Sequence, residues 1–343
     1  MRITNAEGLP QIVVDALKYD TYKVAGSISC TTLIDAVQIR QLKKKHYHEI
    51  TTDASEMLFA LLGTAVHNVL ERAHISDHRK KAFVTVIETL KSESKRFNEE
   101  AQEKLKEMCD KLFKMMEFLF PEIAGRYLWE LSFQYEYKGM VLYGTFDVYD
   151  KIDKILYDYK MCSVWSYAYP ESRRKWNAQT NIYAFLLREN GFAVDKIFIV
   201  AIFRDWSSAK VEFSKLDYPK TQLMTIPIPV QDQEKVRTYI HAKMDMHIAG
   251  DNGDIRPCDG NDKWQTTDEY AVLSKGLKRA IRKFLTEDMA NAFIRENSHK
   301  HKQPLYIQIR PGDRKRCQSY CPVSEFCPQK KREDTLEEEK ISQ

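Results

Sequence analysis

Hydrophobic residues recur every three to four positions through the first third of the chain, a period that predicts amphipathic helices. Ser29 or Thr31 would cap the first of these helices, which is expected to run to Lys45. The other predicted helices cover residues 53–73, one or two helices within 79–119, 173–190 and 232–248. The chain as far as residue 125 is therefore predicted to be a helical region.

The period changes to two residues after this helical region, which predicts β-strands. The predicted strands cover residues 131–137, 141–149, 155–161 and 195–204. Lys138-Gly139 and the polar residues 151–154 make tight turns between the first three strands. These strands are therefore expected to pair as an antiparallel meander.

A loop at Asp251-Asn252-Gly253-Asp254 predicts a boundary before the C-terminal part of the chain. Beyond it, a basic helix from about 268 to 297 and a short strand at 305–310 are predicted. The predicted organisation is a helical region at 1–125, a core at 126–250, a cysteine-containing segment at 251–330 and a charged tail at 331–343.

Composition narrows the class of protein. The chain has 343 residues, of which 43% are hydrophobic and 30% charged, enough apolar material for a globular core. No stretch reaches the roughly 18 apolar residues of a membrane-spanning helix, and the N-terminus lacks the basic flank and apolar run of a secretory signal. We therefore expect an intracellular protein with no membrane partner, located in the cytoplasm, or in the host cytoplasm if a phage encodes it.

The net charge of +4 is too small to indicate nucleic-acid binding by itself. The basic residues are nevertheless clustered, at Lys43-Lys44-Lys45, at Arg173, Arg174 and Lys175, and at Lys278-Arg279 with Arg282-Lys283. Each cluster fits either a DNA phosphate backbone or an ordinary solvated helix face.

Two carboxylates and a lysine are expected to converge on the predicted hairpin. Asp147 lies near the end of one strand, and Asp158 and Lys160 lie two residues apart on the next, so they project from the same face. Two carboxylates can hold a divalent cation through hard oxygen ligands. A neighbouring ammonium can position a water or neutralise a phosphate. The alternative is an exposed hairpin with surface ion pairs that contribute little.

Two further motifs flank this hairpin. One is Gly63-Thr-Ala-Val-His67-Asn-Val-Leu-Glu71, whose residues 63, 67 and 71 share one helix face, and the other is Gln179-Thr-Asn-Ile-Tyr183. With the hairpin between them, residues 63–183 resemble the PD-(D/E)XK nuclease superfamily. Within it they resemble the RecB-like branch, which includes the RecB and AddB nuclease domains and the nucleases of CRISPR adaptation.

This resemblance implies an α/β fold, a restriction-endonuclease-like core in which helices flank a mixed central sheet. It implies that one or two Mg²⁺ or Mn²⁺ ions are held by His67, Asp147, Asp158 and the backbone carbonyl of Tyr159. Lys160 would position the attacking water, and Gln179 and Tyr183 would steady the DNA strand. Glu130 and Glu136 are further acidic candidates with less support.

Seven cysteines are present, and three of them, Cys317, Cys321 and Cys327, fall within eleven residues. Such crowding indicates metal binding rather than disulfides in an intracellular protein. The run resembles the iron–sulfur motif of RecB-like nucleases, although its first gap is three residues instead of two. A [4Fe–4S] cluster is therefore implied, with structural Zn²⁺ as the alternative, and either Cys258, which we favour, or Cys30 as the fourth ligand.

The expected activity is metal-dependent cleavage of DNA, most simply by an exonuclease that acts on single strands or duplex ends in DNA processing, recombination or repair. The chain has no Walker motif, so any helicase or recombinase would be a separate partner. Four aromatic residues near the hairpin could stack on bases or belong to the core: Trp165, Tyr167, Tyr169 and Trp176. The competing functions are a catalytically inactive DNA-binding scaffold and a partner-binding module.

Overall fold

The computed structural model describes residues 2–18, 26–74, 102–108, 111, 126–168, 170–213, 218–276 and 279–342. Most of the predicted helical stretch at 79–119, and also Cys109, Tyr169 and Lys278, lie outside these residues. The chain divides into two compact units. We call Arg2–Ile34 with Thr51–Ile248 the sheet unit, and Asp35–Ile50 with Ala249–Gln343 the thiol unit.

The elements of the chain as far as the first hairpin are β1 (Arg2–Thr4), α1 (Gln11–Lys18), β2 (Ile28–Ser29), α2 (Cys30–Ile34), α3 (Val37–Lys45), β3 (Thr51–Asp53), α4 (Leu58–His74), β4 (Tyr127–Tyr137) and β5 (Met140–Asp150). Then follow β6 (Ile155–Cys162), α5 (Val164–Ala168), α6 (Pro170–Glu189), β7 (Lys196–Phe203), α7 (Ser208–Phe213), β8 (Leu223–Ile228) and α8 (Gln233–Asp251). The last elements are β9 (Glu269–Ser274), β10 (Arg282–Phe284), α9 (Glu287–Asn297), β11 (Leu305–Arg310) and α10 (Pro328–Ser342).

A six-stranded mixed sheet with flanking helices forms the sheet unit, so the predicted α/β fold class is confirmed. Its strand order is β2-β5-β6-β7-β8, and β4 also pairs with β5. β4, β5 and β6 make the predicted antiparallel meander, whereas β6 and β7 are parallel. This combination matches a restriction-endonuclease-like architecture.

α6 supplies much of the core that holds this sheet in place. Ile182, Phe185, Leu186 and Leu187 are completely or almost completely buried within one cluster that includes Leu142 of β5. Burial of such side chains stabilises by roughly 1.5–3 kcal/mol each. The same helix carries the predicted Gln179 and Tyr183, so core packing fixes the position of both motif residues.

Two secondary-structure predictions were wrong. The predicted helix from Ser29 to Lys45 is interrupted between α2 and α3, although Ser29 does cap α2, because its hydroxyl accepts the backbone N–H of Thr32 at 3.2 Å. The predicted basic helix at 268–297 is helical only in its second half, as α9, since β9 and β10 lie in its first half. Residues 271–273 are buried in this sheet, and burial of a short apolar run outweighs helix propensity.

The thiol unit contains a three-stranded antiparallel sheet of order β10-β9-β11. α9 packs against this sheet and is capped by Thr286, whose side chain accepts the backbone N–H of Met289. A smaller apolar cluster around Ile39, Ile50 and Val323 also belongs to the unit. No helix in the described part of the chain is long and apolar enough to cross a membrane.

Candidate functional site

A cleft opens in the sheet unit where β5 and β6 separate. The two strands pair only through Val148, Tyr149 and Asp150. At the next position, Asp147 instead accepts the backbone N–H of Tyr159 through its side chain, at 2.5 Å. Because a carboxylate replaces a backbone carbonyl as the acceptor, the strands diverge and leave room between them.

The cleft has a volume of about 530 Å³. Residues from seven elements line it: Ser29, Cys30, Thr31, Gly63, His67, Glu130, Tyr143, Gly144, Thr145, Asp147, Asp158, Tyr159, Lys160, Met161, Gln179 and Tyr183. This set includes every residue that the sequence predicted for catalysis or for binding the divalent metal. The lining does not include Glu136.

Lys160 and Asp158 form an ion pair at the floor of the cleft. The Nζ of Lys160 lies 2.7 Å from Oδ2 of Asp158, and the side chains are 23% and 2% exposed. The two residues share a face of β6, as expected for positions two apart. Asp158 is therefore buried with a cation beside it, whereas the ammonium of Lys160 reaches the open part of the cleft.

His67, Glu130 and Asp147 bring three ligand atoms together. Nδ1 of His67 lies 3.5 Å from Oδ1 of Asp147 and 3.7 Å from Oε1 of Glu130. These separations are too long for good hydrogen bonds, and the buried Nδ1 has no hydrogen-bond partner. Ligands at about 2.1 Å from one ion would lie roughly 3 Å apart in octahedral geometry. Among the described residues, His67, Glu130 and Asp147 form the group of potential metal ligands whose ligand atoms all lie within 4.8 Å of one another. This group could hold a metal ion.

Glu130 has less support as a site residue from the sequence than it has from the structure. The pairs that flank it, Trp129 with Val148 and Leu131 with Phe146, place Glu130 opposite Asp147. Its backbone has φ +47°, a left-handed conformation that costs about 1 kcal/mol or more for a residue with a Cβ. The sequence feature that could have identified Glu130 is its position on a strand, because an acidic residue on a strand adjacent to that of Asp147 can reach the same point.

Burial and neighbouring charges shift the pKa values of Asp147 and His67. Burial, with the Asp158 carboxylate as the next cause, raises the pKa of Asp147 to about 7. The Glu130 carboxylate raises the pKa of His67 above its ordinary value, and Asp147 acts in the same direction. A bound cation would compensate the negative charge that these shifts report.

The side chains of Gln179 and Tyr183 are hydrogen-bonded to each other in the same cleft. Nε2 of Gln179 donates to the Tyr183 hydroxyl at 2.7 Å, and both residues are less than a tenth exposed. Burial raises the pKa of Tyr183 well above its ordinary value, so the phenol stays neutral.

A close approach at Gly144 explains the glycine that precedes Asp147 by three residues. A Cβ on Gly144 would lie 2.5 Å from Sγ of Cys30 and 2.9 Å from the Tyr183 ring. Cys30 is thus a buried thiol of the sheet unit that lines the cleft.

The other four candidate cysteines line a single cavity in the thiol unit. Cys258, Cys317, Cys321 and Cys327 surround it together with Gln38 of α3. Gln38 donates from Nε2 to Sγ of Cys327 at 3.3 Å and accepts the backbone N–H of Cys258 at 3.0 Å. Burial raises the pKa of the Cys258 thiol to about 12. The four thiols do not form a group as tight as the His67 triad.

Ion pairs surround this cavity. Arg314 is 5% exposed and contacts Glu333 at 2.7 Å, and Arg316 holds Asp35 through two N–O contacts of 2.7 and 2.8 Å. Bidentate arginine pairs are geometrically specific. The Arg316 pair ties the cysteine run to Asp35, which is 281 residues away in the sequence.

The predicted DNA-binding residues lie outside the cleft lining. Arg173 and Arg174 are exposed near the start of α6 and Lys175 is half-buried; Arg173 bonds to the carbonyl of Tyr167 and lies over its ring. Trp176 is 7% exposed and belongs to the core, so its predicted alternative role in base stacking is not supported. Trp165 is 45% exposed.

Comparison with known proteins identifies the family of the chain. The model of the PD-(D/E)XK nuclease superfamily matches residues 38–328. The chain is similar to the crystal structure of SSO0001 at 13% identity and a TM-score of 0.37, covering 68% of this chain and 84% of that one. It is also similar to a candidate exonuclease from Eubacterium rectale at 13% identity and a TM-score of 0.27, covering 64% and 78%. No curated protein matches the sequence.

Proposed function

We propose that this chain, which belongs to the PD-(D/E)XK nuclease superfamily, hydrolyses phosphodiester bonds of DNA in a reaction that depends on Mg²⁺ or Mn²⁺. The observation that carries the proposal is the convergence of His67, Asp147, Asp158 and Lys160 in one cleft. Three acidic or imidazole ligands beside a lysine form a donor set that suits a hard divalent cation.

The metal would be held by His67, Glu130 and Asp147, whose ligand atoms are already close. Asp158 and the backbone carbonyl of Tyr159 are further proposed ligands, since both line the same cleft. The orphaned Nδ1 of His67 supports this fit, because a buried imidazole nitrogen without a partner is costly. When bound, such a cation lowers the pKa of water and stabilises charge on the phosphate.

Lys160 would act on the water and the scissile phosphate. Asp158 holds its ammonium at 2.7 Å and so fixes the direction of the side chain. From this position the ammonium can orient the attacking water and neutralise a phosphate oxygen. Gln179 and Tyr183, neutral and bonded to each other, would steady the strand, and the products would carry 5′-phosphates.

The finer assignment is an exonuclease of the RecB-like branch that takes single-stranded DNA or duplex ends, with any helicase or recombinase as a separate partner. It functions in DNA processing, recombination or repair in this proposal. Arg173, Arg174 and Lys175 would contact the DNA backbone outside the cleft, where the first two are exposed.

A [4Fe–4S] cluster in the thiol unit is also proposed, with Cys258, Cys317, Cys321 and Cys327 as ligands. In a zinc site the sulfurs lie about 2.3 Å from one ion and hence roughly 3.8 Å apart. The four thiols share one cavity without approaching so closely, and a cluster binds each thiolate to a different iron. Two N–H donors to Sγ of Cys327, from Gln38 and the Lys330 backbone, suit a metal-bound thiolate.

A time course on end-labelled single- and double-stranded DNA tests the nuclease proposal. We expect Asp158→Ala and Lys160→Ala to lower metal-dependent cleavage by about three orders of magnitude. Glu136→Gln, an exposed carboxylate outside the cleft, is the control and should cleave normally. Undiminished cleavage by both cleft variants would reject the assignment; binding without any cleavage by the wild-type protein would favour a DNA-binding scaffold.

Anaerobic purification tests the cluster. A brown protein with absorbance at about 400 nm and stoichiometric iron and sulfide is the expected result. A colourless protein with one zinc ion would reject the cluster in favour of a zinc site.

A further inference from the structure

An aromatic ring and a guanidinium lie beyond the metal-binding end of the cleft. Phe59 is on α4, one helical turn before Gly63 and two turns before His67, so the three residues share a face of the helix. The guanidinium carbon of Arg204 lies 3.9 Å from the centre of the Phe59 ring. Arg204 directly follows β7, whose last residue pairs with Cys162, two residues after Lys160.

The Phe59 ring is accessible to solvent. The Phe59 side chain is 54% exposed, and Arg204 is exposed as well. A cation–π pair on a surface contributes only about 0.5–1 kcal/mol. This gain is small compared with the cost of exposing a phenyl ring to water. A binding role accounts better for a ring that has a guanidinium on one side and solvent access.

The floor between this pair and His67 is open. Gly63 lines the cleft, and a Cβ built on it would meet no atom within 4 Å. The space above the helix therefore continues from His67 towards Phe59. Burial raises the pKa of the Cys162 thiol to about 11 and the Asp205 carboxylate acts in the same direction, whereas Arg204 and Lys160 both act against it. Two cations therefore lie near Cys162 at this edge of the sheet, where they can contact a phosphate backbone.

We propose that Phe59 and Arg204 form a subsite for one unpaired nucleotide of the substrate strand. The base stacks on the Phe59 ring, and its phosphate lies against Arg204. This subsite rests on the proposed nuclease function and names its substrate more closely. A base within a duplex has both faces covered by its neighbours, so only an unpaired or frayed base can offer a face to the ring.

The helix also sets the position of this nucleotide. Eight residues separate Phe59 from His67, which is about 12 Å along the helix axis. Successive phosphates of one strand advance about 3.4 Å in a duplex and more when extended. The stacked base therefore lies a few nucleotides from the scissile phosphate, at one fixed position.

An abasic scan of the substrate tests the subsite. A single abasic residue is placed in turn at each position of a fluorescent single-stranded oligonucleotide, and binding is measured by anisotropy in EDTA, where no metal-dependent cleavage occurs. We expect one position, a few nucleotides from the cut mapped with Mg²⁺, to weaken binding about tenfold, the value of one base–aromatic stack. A scan without such a position overturns the subsite.

Variants identify the residues. Phe59→Ala and Phe59→Leu should weaken binding of the intact strand about tenfold and remove the sensitivity to the abasic position, whereas Phe59→Trp should keep both. Arg204→Gln should lower the number of counterions released on binding, measured from the salt dependence of the affinity, by about one. Val69→Ala, a 63% exposed residue on another face of α4, is the control.

The outcomes separate this proposal from the nuclease assignment. If the wild type cleaves DNA but no abasic position weakens binding, the subsite is overturned and the nuclease assignment stands. The same holds if the wild type cleaves and Phe59→Ala and Phe59→Leu remain sensitive to the same abasic position. Phe59-dependent sensitivity in binding without cleavage supports the subsite and rejects the nuclease. Failure to bind or cleave any strand overturns both.

Discussion

The cleft of the sheet unit and the cavity of the thiol unit both gather metal-ligating side chains, but they differ in how those side chains are satisfied. In the cleft, His67 Nδ1 has no hydrogen bond, Glu130 has a left-handed backbone, and burial raises the pKa of Asp147. Around the cavity, Arg314 and Arg316 have short, partly buried ion pairs. The cleft thus contains a metal-ligating group without a hydrogen-bond partner, whereas short ion pairs surround the cavity.

The difference follows from what each site would do. A catalytic metal site must keep a position open for water and substrate, so its ligands cannot all be saturated, whereas a structural site is closed. Substitutions in the cavity should therefore lower stability first, and substitutions in the cleft should lower activity first. The following predictions test that division, from the largest expected effect to the smallest.

Removal of one cavity thiol should have the largest effect on stability. Cys327→Ser removes a sulfur that accepts two N–H groups and opens the proposed metal site, so metal-dependent folding free energy is lost. We expect the melting temperature to fall by about 10 °C, with loss of bound metal. Cys162→Ala, a buried thiol of the sheet unit, should cost much less. Equal losses in both variants would contradict a metal role for Cys327.

The free energy of unfolding of the metal-free protein should decrease as the pH rises. The pKa of Asp147 is about 7 in the fold and about 3.9 in an unfolded chain. The fold therefore holds a proton that the unfolded chain has released, and stability is lost as the pH rises from about 4 to 7, on the order of 3 kcal/mol. Asp147→Asn should remove this slope in urea unfolding with EDTA.

Asp245 offers a control of opposite sign. Its pKa is lowered by the Lys138 ammonium, 2.8 Å away, so its small contribution is present above the unfolded pKa and disappears as the pH falls. Asp245→Asn should leave the Asp147 slope unchanged. An unchanged slope in Asp147→Asn would show that other groups produce the pH dependence.

Glu130→Gln should weaken metal binding without unfolding the protein. The amide keeps the size of the side chain but removes the charge near His67 and Asp147, so Mn²⁺ affinity measured by calorimetry should fall about 10- to 100-fold. Glu136→Gln on the same strand should bind Mn²⁺ as the wild type does. Wild-type affinity in Glu130→Gln would exclude Glu130 from the ligand set.

Tyr183→Phe should have the smallest effect. It removes the acceptor of the Gln179 amide but leaves Asp158 and Lys160 in place, so kcat/KM should fall less than about tenfold and the free energy of unfolding by about 1 kcal/mol. A loss as large as that of Lys160→Ala would instead make the phenol a direct participant in the reaction.

The sequence by itself determined the features that depend on short separations. Asp147, Asp158 and Lys160 fall within fourteen residues, so alternation along two strands and one tight turn bring them together. The cleft indeed contains all three, while their catalytic roles stay predictions. The run from Cys317 to Cys327 was equally visible, because a local sequence spacing survives any fold.

Only the tertiary structure decided the features that join distant segments. Sheet register placed Glu130 opposite Asp147, and packing placed Cys258 in the cavity and Cys30 beside Gly144. It also brought Phe59 to Arg204, 145 residues later in the chain, and turned half of a predicted helix into β9 and β10. Local propensities are weak beside the burial of apolar surface, which depends on partners that no local pattern contains.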